Sequence, residues 1–352
     1  TRSLRGLKRQ KPRFGLARQT NWLLCTRMKK RRLSIIAFPG NALPPLGLAF
    51  FCPGRADPPL FRWQGIVLLI FSNASFLMER FMFPPDLPPV TNKALYVYRV
   101  FAKWLSFFVF GAGAIIIVIV VFPLMRVALF SKARFQRYGR RFISYTSRFF
   151  VFFMRCVGMA DMEFAPQAGR KKYLGISSKI VVANHPSLVD SLLLISLMPN
   201  ADTIVIPYRN NLILGGILRQ LYTQGSGDLE DVLKASINSL RQGNCLMIFP
   251  EGTRTRRTGN VILKKGAARL ALASGCSIVP VHIGGTDKFG LGKKDPWAGY
   301  NPQERYVYRL NMGTEISPEK YRHLPVPAAA KLMTEEIASF LFPDRRAKSH
   351  AL

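Results

Sequence analysis

Apolar and polar positions follow two different patterns along this 352-residue chain, and the change falls near residue 160. Before it, apolar residues come in long blocks. Residues 104–125 (WLSFFVFGAGAIIIVIVVFPLM) carry no charge and lie between Lys103 and Arg126. About 20 apolar residues cross the hydrocarbon of a bilayer, so this block predicts a transmembrane helix. Residues 63–78 form a shorter block of marginal length. Residues 134–156 mix arginines with Phe and Tyr, which predicts a basic amphipathic helix lying at headgroup level. After residue 160, short β-rich runs alternate with helical ones. Strands are expected over residues 178–183, 203–206, 245–249, 277–283 and near 306–311. Helices are expected over 188–197, 211–221, 229–241, 263–274 and 326–341. Such alternation predicts an α/β domain. The resulting division is residues 1–81, 82–160 (membrane anchoring) and 161–345 (a catalytic domain).

Charge sharpens this division. The chain carries 51 Lys and Arg against 19 Asp and Glu, a formal charge of +32. Residues 1–160 hold 26 of those cations but only three acids, Asp57, Glu79 and Asp86. A basic half that is also the hydrophobic half points to a membrane surface rather than to nucleic acid. The basic residues crowd the C-terminal side of the apolar block, from Arg126 to Arg148. The positive-inside rule therefore places everything after residue 125 in the cytoplasm. Residues 1–81 are basic and proline-rich and do not read as a folded domain. They are expected to be upstream sequence ahead of an internal start near Met78 or Met82. The five cysteines form no CxxC and no paired framework, so free thiols are expected. No Cys/His cluster has zinc spacing, so no metal is expected.

Three strand ends carry the chemistry. The first reads VVANHPSLVD, residues 181–190. An acid at Asp190, in the first turn of the next helix, can fold back onto His185, fix one tautomer and stabilise the charged imidazole. The other ring nitrogen is then free to take a proton from an alcohol. The second reads FPEGTRTR, residues 249–256. Gly252 permits a tight turn, and Arg254 offers a planar fork that matches phosphate oxygens. The third is IVPVH, residues 278–282, where Pro280 inside an apolar run predicts an edge strand or a bulge. His282 reads as a satisfied core histidine, and His323 and His350 as solvated.

Taken in order, these blocks resemble the glycerolipid acyltransferase family of the lysophosphatidic-acid acyltransferase type. The resemblance covers roughly residues 135–340 and extends to LKKGAARLALASG, residues 263–275. It implies a mixed sheet flanked by helices. It also implies that His185 is the general base, that Asp190 orients it, and that the acceptor hydroxyl attacks the acyl thioester directly, so Ser187 is no nucleophile. Asn184, Glu251, Gly252, Thr253, Arg254 and Pro280 are implied in substrate binding, with Arg254 facing phosphate. The acyl donor would be acyl-CoA or acyl carrier protein, the acceptor a lysophospholipid, with no bound cofactor. The family's further segment, an aromatic or aliphatic residue followed by an acid and an arginine, is not matched by YTQGSGDLED (residues 222–231). Arg209 or Arg219 could substitute, and an acceptor without glycerol stays open. A nucleotide site is excluded by the lack of GxxxxGK[ST] and GxGxxG, and a serine hydrolase by the lack of GxSxG. The competitor from another class is a non-catalytic basic lipid-binding protein, which has no need of the His185–Asp190 pair.

Overall fold

The computed structural model describes residues 87–166, 169–205, 221–224, 229–257, 260–343 and 347–349. All but the last residue of the predicted helix over 211–221, both arginines Arg209 and Arg219, His350 and all of residues 1–86 lie outside this set. A helix α1 (Lys93–Ile116) opens the described chain, capped by the Asn92 side chain, which accepts from the Leu95 amide at 3.0 Å. It passes through a π-helical turn, Ile117–Val121, into α2 (Phe122–Leu129). Pro123 explains the widened turn. Its ring would crowd the carbonyl four residues back, and an i→i+5 turn relieves that clash. Phe130, at φ +46, ends the helix, and the chain reverses into α3 (Lys132–Cys156).

The α/β part follows: β1 (Ala160–Phe164), α4 (Arg170–Leu174), β2 (Ile180–Ala183), α5 (Asp190–Leu197), β3 (Ala201–Val205), β4 (Thr223–Gln224), α6 (Leu229–Arg241), β5 (Cys245–Ile248), β6 (Val261–Leu263), α7 (Gly266–Ser274), β7 (Ile278–Gly285), β8 (Tyr306–Met312), α8 (Val326–Leu341) and β9 (Ala347–Ser349). Seven strands form one mixed sheet in the order β1-β8-β7-β2-β5-β3-β4, parallel except for the antiparallel β7–β8 pair. The central strand β2 is buried along its whole length, as a parallel strand covered on both faces must be. Its side chains alternate between two cores. Val181 and Ala183 join Phe150 and Met154 of α3, while Ile180 and Val182 join Leu270 and Met333 of α7 and α8.

Two expectations need correction here. Pro280 is not on an edge strand, because β7 lies between β2 and β8, but the register with the following segment slips by one residue around it, from Val281↔Met312 to Ile278↔Ile316. The β7–β8 ladder begins at Val281↔Met312, so Pro280 sits one residue outside it, where a missing N–H costs that ladder nothing. The start of the expected helix 263–274 also belongs elsewhere: Leu263 ends β6, which pairs with β9, and α7 begins only at Gly266.

The apolar helix, Lys93–Leu129, is long and apolar enough to cross a bilayer and is largely unburied, yet both its ends touch the α/β part. A spanning helix would put its ends on opposite faces of a bilayer about 30 Å thick. Here Lys103, before the apolar block, donates to the carbonyls of Trp297 and Gly299. Phe122, near its end, shares a buried cluster with Leu221 and Tyr222. From α3, Arg148 donates to the Ser196 carbonyl at 2.7 Å, and Arg140 donates to the Leu221 carbonyl and lies 3.4 Å from Asp202. Both helices thus lie along the α/β part. Residue 160 is no boundary either, since Tyr96, Ala102, Phe150 and Met154 share a core with Val181. What remains open is one face: Phe108, Ile116, Ile119, Leu124, Val127 and Phe130 are exposed, as are Tyr145, Phe149 and Phe152 of α3.

Candidate active site

β2, β5 and β7 run parallel and adjacent, so the segments after them leave the sheet at the same edge. Crevices at the carboxyl ends of such strands are the usual ligand positions in α/β folds. Asn184 and His185 follow β2, Phe249 to Arg257 follow β5, and residues 286–300 follow β7.

Asp190 is the first residue of α5 and is fully buried. Its Oδ2 lies 2.8 Å from His185 Nδ1 and accepts from the Ser187 amide at 2.6 Å. Its Oδ1 accepts from the Ser187 hydroxyl at 2.6 Å. Ser187 in turn pairs with the buried Tyr308 hydroxyl at 3.0 Å. With its single proton committed to Asp190, Ser187 accepts from Tyr308. Two donors from Ser187 therefore hold the carboxylate against the imidazole; with Nδ1–H donated to Asp190, Nε2 is the nitrogen left to accept a proton. The imidazole stacks on Phe249, ring centroids 4.3 Å apart.

The backbone of His185 is held independently of its ring. Its amide donates to Glu251 Oε1 and Thr255 Oγ1, each at 3.1 Å, and its carbonyl accepts from the Thr255 amide at 2.7 Å. Thr255 Oγ1 also donates to Glu251 Oε1 at 2.6 Å. Burial pushes the Glu251 carboxyl above its usual range, against the opposing pull of these donors. Glu251 therefore joins the first block to the second. Gly252 adopts φ +65, and a Cβ there would come within 2.9 Å of the Lys264 amine. Both the turn and the close approach need glycine.

Two expected residues keep other company. Asn184 is buried, with its amide donating to the Ile283 carbonyl at 3.0 Å and its oxygen accepting from the Ile283 amide at 2.6 Å. Both polar ends bridge β2 to β7, so its contribution is to placing His185. Asn184→Ala would strand a buried N–H and C=O on Ile283. A loss of about 2–5 kcal/mol is expected, read by denaturant unfolding. Pro280 lines neither cleft beside the dyad; Thr253 and Arg254 line one of them.

That cleft, about 430 Å³, is bordered by Glu251 and by Arg254, Arg256, Lys264, Arg269 and Lys293. One acid among so many cations makes it an anion seat. Arg254 Nη1 is already engaged, donating to the carbonyls of Leu291 at 2.9 Å and Gly292 at 2.8 Å. A second cleft of about 280 Å³ is bordered by Pro186, Arg257, Gly284, Lys288 and Asp295, with charges more evenly balanced.

The sequence did not single out Thr255, Tyr308 or Lys288, since none stands in a recognisable spacing. Lys288 is buried, lies over the Tyr308 ring at 4.6 Å, and donates to the Val307 carbonyl at 2.9 Å. Burial pushes its ammonium from 10.5 down to about 8. Between those values the unfolded chain holds a proton that the folded chain has released, so stability from this group rises with pH through that window. Lys288→Met is expected to reduce the gain in Tm from pH 8 to pH 10.5, measured by calorimetry beside the unmodified protein.

An acyltransferase family model matches residues 168–284, which include both motif loops. The chain is 30% identical, over 125 residues, to a 1-acyl-sn-glycerol-3-phosphate acyltransferase of Borreliella burgdorferi, a match covering 32% of this chain and 48% of that protein. A coconut (Cocos nucifera) protein of the same description is 30% identical over 118 residues, 30% of this chain and 37% of its own length. The chain thus spans less than half of these relatives. The crystal structure of the 1-acyl-sn-glycerophosphate acyltransferase PlsC from Thermotoga maritima shares the fold, with TM-score 0.53 at 18% identity, covering 71% of this chain and 98% of that one.

Proposed function

We propose that the chain is a membrane-bound acyltransferase that moves a fatty acyl group from a thioester to the hydroxyl of a lysophospholipid, with 1-acylglycerol-3-phosphate as its acceptor. The observation that carries this reading is the His185–Asp190 pair, 2.8 Å apart, beside a cationic cleft. His185 Nε2 takes the proton of the acceptor hydroxyl as its oxygen attacks the thioester carbonyl. The new C–O bond forms, the C–S bond breaks, and the proton passes from His185 to the leaving sulfur. The cations around Arg254 and Arg256 hold the acceptor's phosphate. The mechanism calls for no metal or bound cofactor. The donor is acyl-CoA or acyl carrier protein, and an acidic carrier would be steered by the basic surface.

The exposed apolar face of α1 and α2 and the aromatic side chains of α3 are read as the membrane contact. The arginines of α3 meet anionic headgroups of the cytoplasmic leaflet, in a bacterium that of the inner membrane. The test supplies membranes containing the chain with labelled acyl thioester and a panel of lysolipids. Acylation of lysophosphatidic acid supports the reading. A folded, membrane-bound chain that acylates no lysolipid would overturn it in favour of a lipid-binding protein.

A further inference from the structure

The loop after β7, residues 286–300, touches both motif loops and the N-terminal helix. On the site side, the Leu291 carbonyl accepts from the Leu188 amide at 3.1 Å and from Arg254 Nη1 at 2.9 Å, and the Gly292 carbonyl also accepts from Arg254. One carbonyl thus joins the block carrying His185 to the block carrying Glu251. On the far side, Lys103 of α1 donates to Trp297 and Gly299. The Tyr300 amide donates to the Tyr96 hydroxyl at 3.3 Å, and Phe107 packs edge-on against Trp297. The two arms of the loop meet closely: at Gly290, φ +88, a Cβ would stand 1.9 Å from the Gly299 carbonyl and 3.2 Å from Lys103 Nζ. Asp295 closes the turn by accepting from the Gly290 and Gly292 amides, each at 3.0 Å.

We propose that Lys103 is a positioning residue for the acceptor site, acting through the 286–300 loop on Arg254. Lys103 is fully buried, and its ammonium donates to two loop carbonyls. A buried ammonium is costly unless its protons are met, so this lysine holds those carbonyls at fixed positions. Fixing Gly299 fixes Gly290 against it, and with it the Leu291 and Gly292 carbonyls that orient the Arg254 guanidinium. The helix whose apolar face is read as the membrane contact is thereby tied to the group that grips the lipid acceptor.

This inference rests on the proposed acyltransferase reading, with Arg254 as an acceptor ligand. The experiment is a double-mutant cycle on the full chain in membranes, pairing Lys103→Met with Arg254→Ala. Lys103→Met is expected to raise KM for the lysophospholipid about three- to tenfold, with kcat and the donor KM unchanged. Added to Arg254→Ala it should do nothing further. Independent effects that multiply in the double variant, or an unchanged acceptor KM in folded Lys103→Met, would overturn the proposal. If Lys103→Met does not fold, Asp295→Ala releases the same loop from its other end and must show the same dependence on Arg254. Absence of transfer by the unmodified chain would instead remove the acyltransferase reading, and this inference with it.

Discussion

His185→Ala is expected to lower kcat by about 10²–10⁴-fold while the protein still folds and binds membranes. The reason lies in how His185 is held. Its backbone amide and carbonyl make the bonds to Glu251 and Thr255 that join the two motif loops, and alanine keeps both. Among the described residues the imidazole itself bonds Asp190 and stacks on Phe249. Removing it leaves Asp190 still accepting from the Ser187 amide and hydroxyl, so the carboxylate is not stranded. Single-turnover transfer from a labelled thioester, measured beside a thermal melt, checks both halves. A variant that melts like the parent and keeps its full rate would remove His185 from the chemistry.

Asp190→Asn is the second large effect, a loss on the order of 10²–10⁴-fold in kcat. Asparagine can copy the geometry. Its oxygen, placed where Oδ2 stands, still accepts from the Ser187 amide and His185 Nδ1. Its NH₂ then donates to Ser187 Oγ, whose hydroxyl turns to Tyr308. What disappears is the negative charge that offsets the imidazolium formed as the proton leaves the acceptor. The Km values and the melting temperature should therefore change little while kcat collapses. A matching collapse in stability would show instead that Asp190 serves the fold.

Much of the site was legible because its parts are local. Asp190 stands five residues after His185 across one strand-to-helix turn, and a carboxylate at that position reaches back to the ring. Gly252 was legible as a turn glycine for the same reason. Arg254 was read as a free fork for phosphate, yet one of its nitrogens bonds carbonyls 37 and 38 residues further on. No local pattern carries that information. Asn184 sits beside His185 in sequence but spends its side chain on Ile283, 99 residues away, because parallel pairing of β2 with β7 brings that backbone alongside.

The chain's own order of residues determined the alternating α/β elements, the polar strand ends and the long apolar helix, since each follows from propensity and periodicity over a few neighbours. Helices over residues 229–241 and 326–341 match α6 and α8 end for end. Tertiary structure alone decided how these parts meet. It set β7 inside the sheet rather than at its edge, and it laid the apolar helix along the α/β part. It also recruited Tyr308 and Lys288 behind the dyad and made residues 286–300 the joint between the helix and the site. These outcomes depend on contacts between residues far apart in sequence, made only once strand order and register bring them together.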